Sequence, residues 1–249
     1  MISASDWQRY IFKLAKINQK AAELMQQWME QHGASDFLAI VNYAYALISK
    51  YGESSAAWAC ERYDAIAAAQ NSTVPAAVPA ATATYSEVAK SVGGALKQSS
   101  FLVPNTVGRL VKQAGADTTL QNALRDGAEF AWIPSGDTCA FCITLASRGW
   151  QRASKHSIRN GHAEHIHSNC NCEYAVRFGG RGGVAGYDPD KYRDMYDGAD
   201  GFTPQQKINA MRRQAYAKNK DKINAQKRAN YAQRNAEAVN SNSNDRQVF

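Results

Sequence analysis

Hydrophobic positions recur at helical spacing through the first third of the chain. Trp7, Ile11, Leu14, Ala21, Met25 and Trp28 fall at intervals of three, four and seven. That stripe predicts an amphipathic helix over 5–31, with Ser5-x-x-Gln8 as a capping box, Asn18 interrupting the seam and Gly33 at the end. Phe37, Ile40, Val41, Ala44, Leu47 and Ile48 predict a second helix over 36–51, stopped at Gly52. A third begins near Glu53 and carries Trp58, Arg62, Ala65, Ile66 and Ala69, giving an antiparallel array with short loops. Residues 71–84 break the pattern, because Pro75 and Pro79 among small residues read as a linker or an extended surface strap. Three shorter helices are predicted at 85–98, 104–114 and 118–128, with Pro104 in a first turn and Asp117/Thr118 as a cap. Phe130–Ile133 and Tyr174–Phe178 then read as two short strands that pair.

Beyond Phe178 the periodicity weakens. Gly179, Gly180, Gly182 and Gly183 around Arg181 predict a flexible joint, and 187–192 a turn entering a short helix. Residues 203–249 form a long polar helix with too few apolar positions for a core. It holds an approximate repeat, Arg213-x-x-Tyr216-Ala217 against Arg228-x-x-Tyr231-Ala232. The expected organisation is an N-terminal helical region (1–70), a Pro/Ala linker (71–84), a core (85–178), a joint and turn (179–202) and a basic tail (203–249). The expected fold class is mainly α, or α+β, with a short two-stranded element. No apolar run approaches the ~20 residues of a membrane span, and the N-terminus lacks the basic and apolar regions of a signal peptide. No membrane partner is therefore expected, and the cytoplasm is the expected site of synthesis.

Charge changes this picture at one place. The chain has 29 Lys/Arg against 22 Asp/Glu, and ten of the basic but three of the acidic residues lie from Lys207 onward. That leaves 19 of each sign over 1–206, so the net +7 belongs to the tail. Lys207, Arg212, Arg213, Lys218, Lys220, Lys222, Lys227, Arg228 and Arg234, interleaved with tyrosines, suit phosphate neutralisation without base reading. The same residues also suit a solvated helix face.

Four of the five cysteines lie between Asp137 and Phe178. Cys139 and Cys142 have the C-x2-C spacing that lets two thiolates reach one ion; His167 and Cys170 repeat the spacing, and Cys172 adds a further thiolate. Zinc takes four N/S ligands, so the expected structural Zn2+ set is Cys139, Cys142, Cys170 and either His167 or Cys172. Reduced buried thiols or two disulfides are the other uses of such residues. A catalytic zinc needs an open position and a base, for which Glu164 is the nearby candidate. Cys60 has no second ligand near it and reads as a small buried residue. Walker, GxGxxG, HExxH and G-x-S-x-G motifs are missing, so no enzyme is expected. One enzymatic alternative is a zinc-braced HNH-like nuclease, with His162 or His165 as base and Asn160 and Asn169 beside them.

The segment W-x-P-x-G-D-T-C-x-F-C from Trp132 to Cys142, then H-x-H-x-x-C-x-C from His165 to Cys172 and a Tyr/Val strand, resembles the minor head proteins of tailed phages related to the Mu F protein. That family is also called the phage head morphogenesis family. The close resemblance covers Asp137–Phe178, about a sixth of the chain, and departs at Asn171, where the family carries arginine. The resemblance implies a non-enzymatic minor head protein of a tailed phage or prophage, present in few copies inside the head near the portal. It implies a role in head morphogenesis or DNA packaging and delivery. The implied partners are the portal protein, other head proteins and packaged double-stranded DNA, with the host cytoplasm as the place of assembly.

Overall fold

The structure, a computed structural model, describes residues 1–136, 138–159 and 172–244. The chain is mainly helical with one small sheet. Its elements are α1 (Ala4–His32), α2 (Phe37–Ala69), α3 (Tyr85–Gln98), a 3-10 turn (Ser100–Leu102), α4 (Val103–Asp126), β1 (Glu129–Ile133), α5 (Ala140–Ala146), β2 (Gln151–Arg152), α6 (Lys155–Arg159), β3 (Glu173–Arg177), α7 (Pro189–Asp197) and α8 (Pro204–Asn244). None of the described helices is long and apolar enough to cross a membrane.

Local chemistry sets the helix ends. Ser3 caps α1, its Oγ accepting from the Asp6 N–H at 3.1 Å, so the cap lies two residues before the expected Ser5. Gly33 closes α1 at φ +75°, where a side chain would strain. Asp36 caps α2 through the Ala39 N–H. Thr84 and Glu87 form a reciprocal capping box on α3.

Two expected helix breaks are absent, for one reason. Gly52 does not stop a helix, and the second and third predicted helices are one, α2. A Cβ on Gly52 would stand 2.7 Å from Thr82 Cγ2 and 3.6 Å from Ala114 Cβ. Likewise 104–114 and 118–128 are one helix, α4, and a Cβ on Gly115 would lie 2.6 Å from Ser55 Oγ. Gly108 meets the Asn18 carbonyl, which a Cβ would approach to 3.2 Å, so Asn18 interrupts the α1 seam where α4 crosses. These glycines let backbones approach; they do not punctuate the chain.

Helix α4 is the axis of the molecule, packed against α1, α2, α3, β1 and β3. Two hydrophobic clusters lie along it. One is aliphatic, with Met25, Ile40, Val41, Ile48, Val88, Val92, Val107 and Val111 buried between α1, α2, α3 and α4. The other joins Trp7, Tyr10, Tyr63, Phe130, Trp132, Tyr174 and Val176 around the sheet. Each cluster draws on residues from both sides of 71–84.

Residues 71–84 are the strap, bound along α4 and α2. Ala77 donates to Asp64, Val78 to Asn122 and Ala80 to Thr118 Oγ1, each at 2.8–2.9 Å. Asn122 returns a bond to the Val78 carbonyl, and Arg125 reaches the Pro75 and Ala76 carbonyls.

The sheet has three antiparallel strands in the order β2-β1-β3, one more than expected. Phe130 sits opposite Val176 and Trp132 opposite Tyr174, so the two expected strands do pair. Glu129 and Arg177 end the register as a cross-strand ion pair at 2.7 Å. The added strand holds two residues, too short for any alternation to show. The glycine joint is pinned: Ile2 donates to the Gly183 carbonyl, Ala185 to the Ile2 carbonyl, and Phe178 to Gln70 Oε1.

Candidate functional site

The cysteine-bearing end of the sheet is built from three elements. Cys139 is the N-cap residue of α5, and Cys142 lies three residues on, the i, i+3 relation that puts two side chains on one helix face. Cys172 immediately precedes β3 and so sits at the Ile133–Glu173 end of the strand pair. The chain leaving β1 reaches it, the Ser135 N–H donating to Cys172 Sγ at 3.4 Å. Cys142 and Cys172 are each 1 % exposed within the aromatic cluster, and Cys139 is half-buried against it. α7 packs on α5, and burial, which is the larger cause, raises the pKa of its Tyr192.

His167 and Cys170 lie outside the described residues, as do Asn160, His162, Glu164, His165 and Asn169. Among the described residues no group of three or more His, Cys, Asp or Glu side chains is arranged to hold a metal ion. The donor chemistry fits zinc all the same: thiol sulfurs from α5 and from the foot of β3 belong to one end of one sheet, and Zn2+ favours sulfur and imidazole.

A buried ion pair, which sequence reasoning missed, underlies this end. Lys112 of α4 is 2 % exposed; its Nζ donates to the Cys172 carbonyl at 2.8 Å and lies 3.2 Å from Glu173 Oε1. The Lys112 ammonium also stands 5.7 Å from the Trp132 ring centroid. Burial, and next the Glu173 charge, push the Tyr174 phenol well above its ordinary pKa. The available signal was a lysine among Val107, Leu110, Val111 and Ala114 on an apolar helix, with a glutamate flanked by Cys172 and Tyr174 to match it.

The basic helix is rooted on α5 as well, through the positions next to the cysteines. Ala140 and Ile143 of α5 pack with Ala199, Met211, Ile208, Tyr192 and Tyr196, rooting the first turns of α8. Lys207 belongs to that root: its Nζ donates to the Tyr196 and Asp197 carbonyls, both at 3.1 Å, and so caps α7. Arg212, Arg213, Lys218, Lys220, Lys222, Lys227 and Arg228 are all exposed. The Arg234 side chain lies outside the description.

No curated protein and no solved structure matches the chain. A family model described as VG15 protein matches residues 1–199, which takes in everything from α1 to α7 and stops short of α8. VG15 is a family of viral and phage gene products, which supports a phage origin. On a match over most of its length, the chain belongs to the VG15 protein family.

Proposed function

We propose that the chain is a non-enzymatic minor head protein of a tailed phage, acting near the portal in head morphogenesis or in DNA packaging and delivery. The supporting observation is the joint use of α5: this one short helix carries the thiols of Cys139 and Cys142 and, through Ala140 and Ile143, roots the basic helix α8. In this reading a structural zinc, held by Cys139, Cys142, Cys170 and either His167 or Cys172, fixes α5 to the sheet. α8 then reaches packaged duplex DNA through Arg212, Arg213, Lys218, Lys220, Lys222, Lys227, Arg228 and Arg234, while Lys207 holds the helix to the body. The VG15 match, which supports a phage-encoded protein, agrees with this reading.

Two measurements test it. Mass spectrometry of purified virions is expected to find the chain, with cross-links to the portal; a chain missing from virions overturns the head assignment. Replacing Arg212, Arg213, Lys218 and Lys220 with Gln is expected to weaken binding to mixed-sequence duplex DNA. The slope of log K against log salt should shrink by about 3 to 4, near 0.9 per lost phosphate contact. An unchanged slope removes α8 from the DNA reading.

A further inference from the structure

The segment 1–206 is neutral in sum but not in distribution. Arg9, Lys13, Lys16 and Lys20 of α1 are all exposed and follow one another at spacings of four, three and four. At 3.6 residues per turn these positions fall within about 60° of arc, and at 1.5 Å per residue they span about 17 Å. They form one straight row of cations on the outer face of the helix, away from the buried Trp7, Ile11 and Leu14.

Two features hold the row in place. Lys13 Nζ stands 3.2 Å from the Trp58 ring centroid, and Lys16 Nζ is 4.4 Å from that of Phe12. Lys13, Lys16 and Lys20 also line a groove whose far wall is Tyr51 of α2. Behind the row, the Arg62 guanidinium lies 5.7 Å from the Tyr10 ring, and its buried Nε and Nη2 find no acceptor among the described residues. Along α1 itself, acidic residues flank the row only at its ends. Asp6 pairs with Arg9 at 3.5 Å, and Glu23 closes the groove beyond Lys20.

We infer that this α1 row is a contact surface for the phosphate backbone of duplex nucleic acid, separate from α8. A linear set of cations with donors of fixed direction matches a linear array of phosphates, and neutralising them releases counterions. A peptide partner would need side-chain pockets beside its backbone, and a membrane surface would need a broad apolar face. The row has no broad apolar face, since Phe12 is the one large exposed apolar residue of α1, and the groove beside it is walled by lysines that suit an anion. The inference does not rest on the α8 reading.

The test uses the full chain and a mixed-sequence DNA duplex, with binding followed across salt concentrations. Arg9→Gln, Lys16→Gln and Lys20→Gln are combined; Lys13 is kept because it packs on Trp58. The log–log salt slope is expected to fall by about 2 to 3, with melting unchanged because all three side chains are exposed. A control with Lys90, Lys97 and Lys155 changed to Gln removes equal charge from other exposed sites and is expected to leave the slope almost unchanged. An unchanged slope in the α1 variant overturns the proposal, as does an equal fall in the control, which would make net charge the cause. Retained DNA binding with lost binding to poly-glutamate overturns it in favour of an acidic protein partner. Loss in the α8 variant alone leaves the tail reading standing and removes this one; loss in the α1 variant alone does the reverse. No DNA binding by the intact chain removes both.

Discussion

The two clusters that share α4 are made differently. The aliphatic one is Ala, Val, Ile, Leu and Met, held by shape and area alone. The aromatic one has Trp, Tyr, Phe and Cys around a strand pair, with Lys112 and Glu173 buried against it. Shape-held cores tolerate volume-conserving change, whereas a buried charge pair does not tolerate the loss of one partner. The chain thus spends directional bonds at the end that carries Cys142 and Cys172, and plain burial elsewhere. The contrast teaches that the cysteine end is built to hold a geometry, and the aliphatic end to hold a shape.

The largest expected effect tests the aromatic end. If zinc holds it, Cys139→Ser or chelation removes about one ion per chain and up to on the order of 10 kcal/mol of apparent binding energy. Metal analysis checks the ion, and hydrogen exchange is expected to rise across 130–178 while Ile40–Ile48 stays protected. A metal-free wild type with an identical melt removes the zinc reading. Next comes Lys112→Met, which strands Glu173 in the interior and is expected to cost about 3–5 kcal/mol by urea unfolding. Adding Glu173→Leu should return most of that loss, and a double variant as weak as the single one would mean that the pair is not the cause. The smallest effect concerns backbone approach: Gly115→Val is expected to cost about 1–3 kcal/mol through Ser55, partly relieved by Ser55→Ala. Equal tolerance of Gly115→Val and an exposed Gly94→Val would show that the α2–α4 crossing is loose.

Much of the architecture was legible because periodicity reports burial. The α1 stripe, the α3 span and the Phe130–Ile133 partner of Tyr174–Phe178 were all readable from spacing. Gly52 misled because a glycine that ends a helix and one that admits a neighbour look alike in a single sequence, and Asp117/Thr118, read as a cap, lie inside α4 just past Gly115, which admits Ser55 in the same way. What separates them is a contact with Thr82 or Ser55, which no local window contains. β2 went unseen because two residues carry no pattern; the strap was readable from Pro75 and Pro79, but its partners were not, because they are side chains of α2 and α4. At the candidate site the C-x2-C spacing and Cys172 stand out in the sequence, and in the structure Cys139 and Cys142 belong to α5 while Cys172 stands at the foot of β3. The ion pair beneath them was not legible, since Lys112 and Glu173 are 61 positions apart in the chain. The neutral charge sum over 1–206 hid the cation row on α1, because a sum has no direction.

The strap also sets an order of events on the growing chain. Its backbone groups at Ala76, Val78 and Ala80 find partners on residues 49, 44 and 38 positions later. When 71–84 first leaves the ribosome, Thr118, Asn122 and Arg125 have not yet emerged. α1 and α2 are equally incomplete at that moment, since the faces they bury wait for Val103–Val111. The last turns of α4 therefore close two things in one step, the packing of the first two helices and the fastening of the segment between them. Released chains ending before α4 should be open to protease within 71–84, and chains extended past Asp126 and clear of the exit tunnel should resist cleavage there.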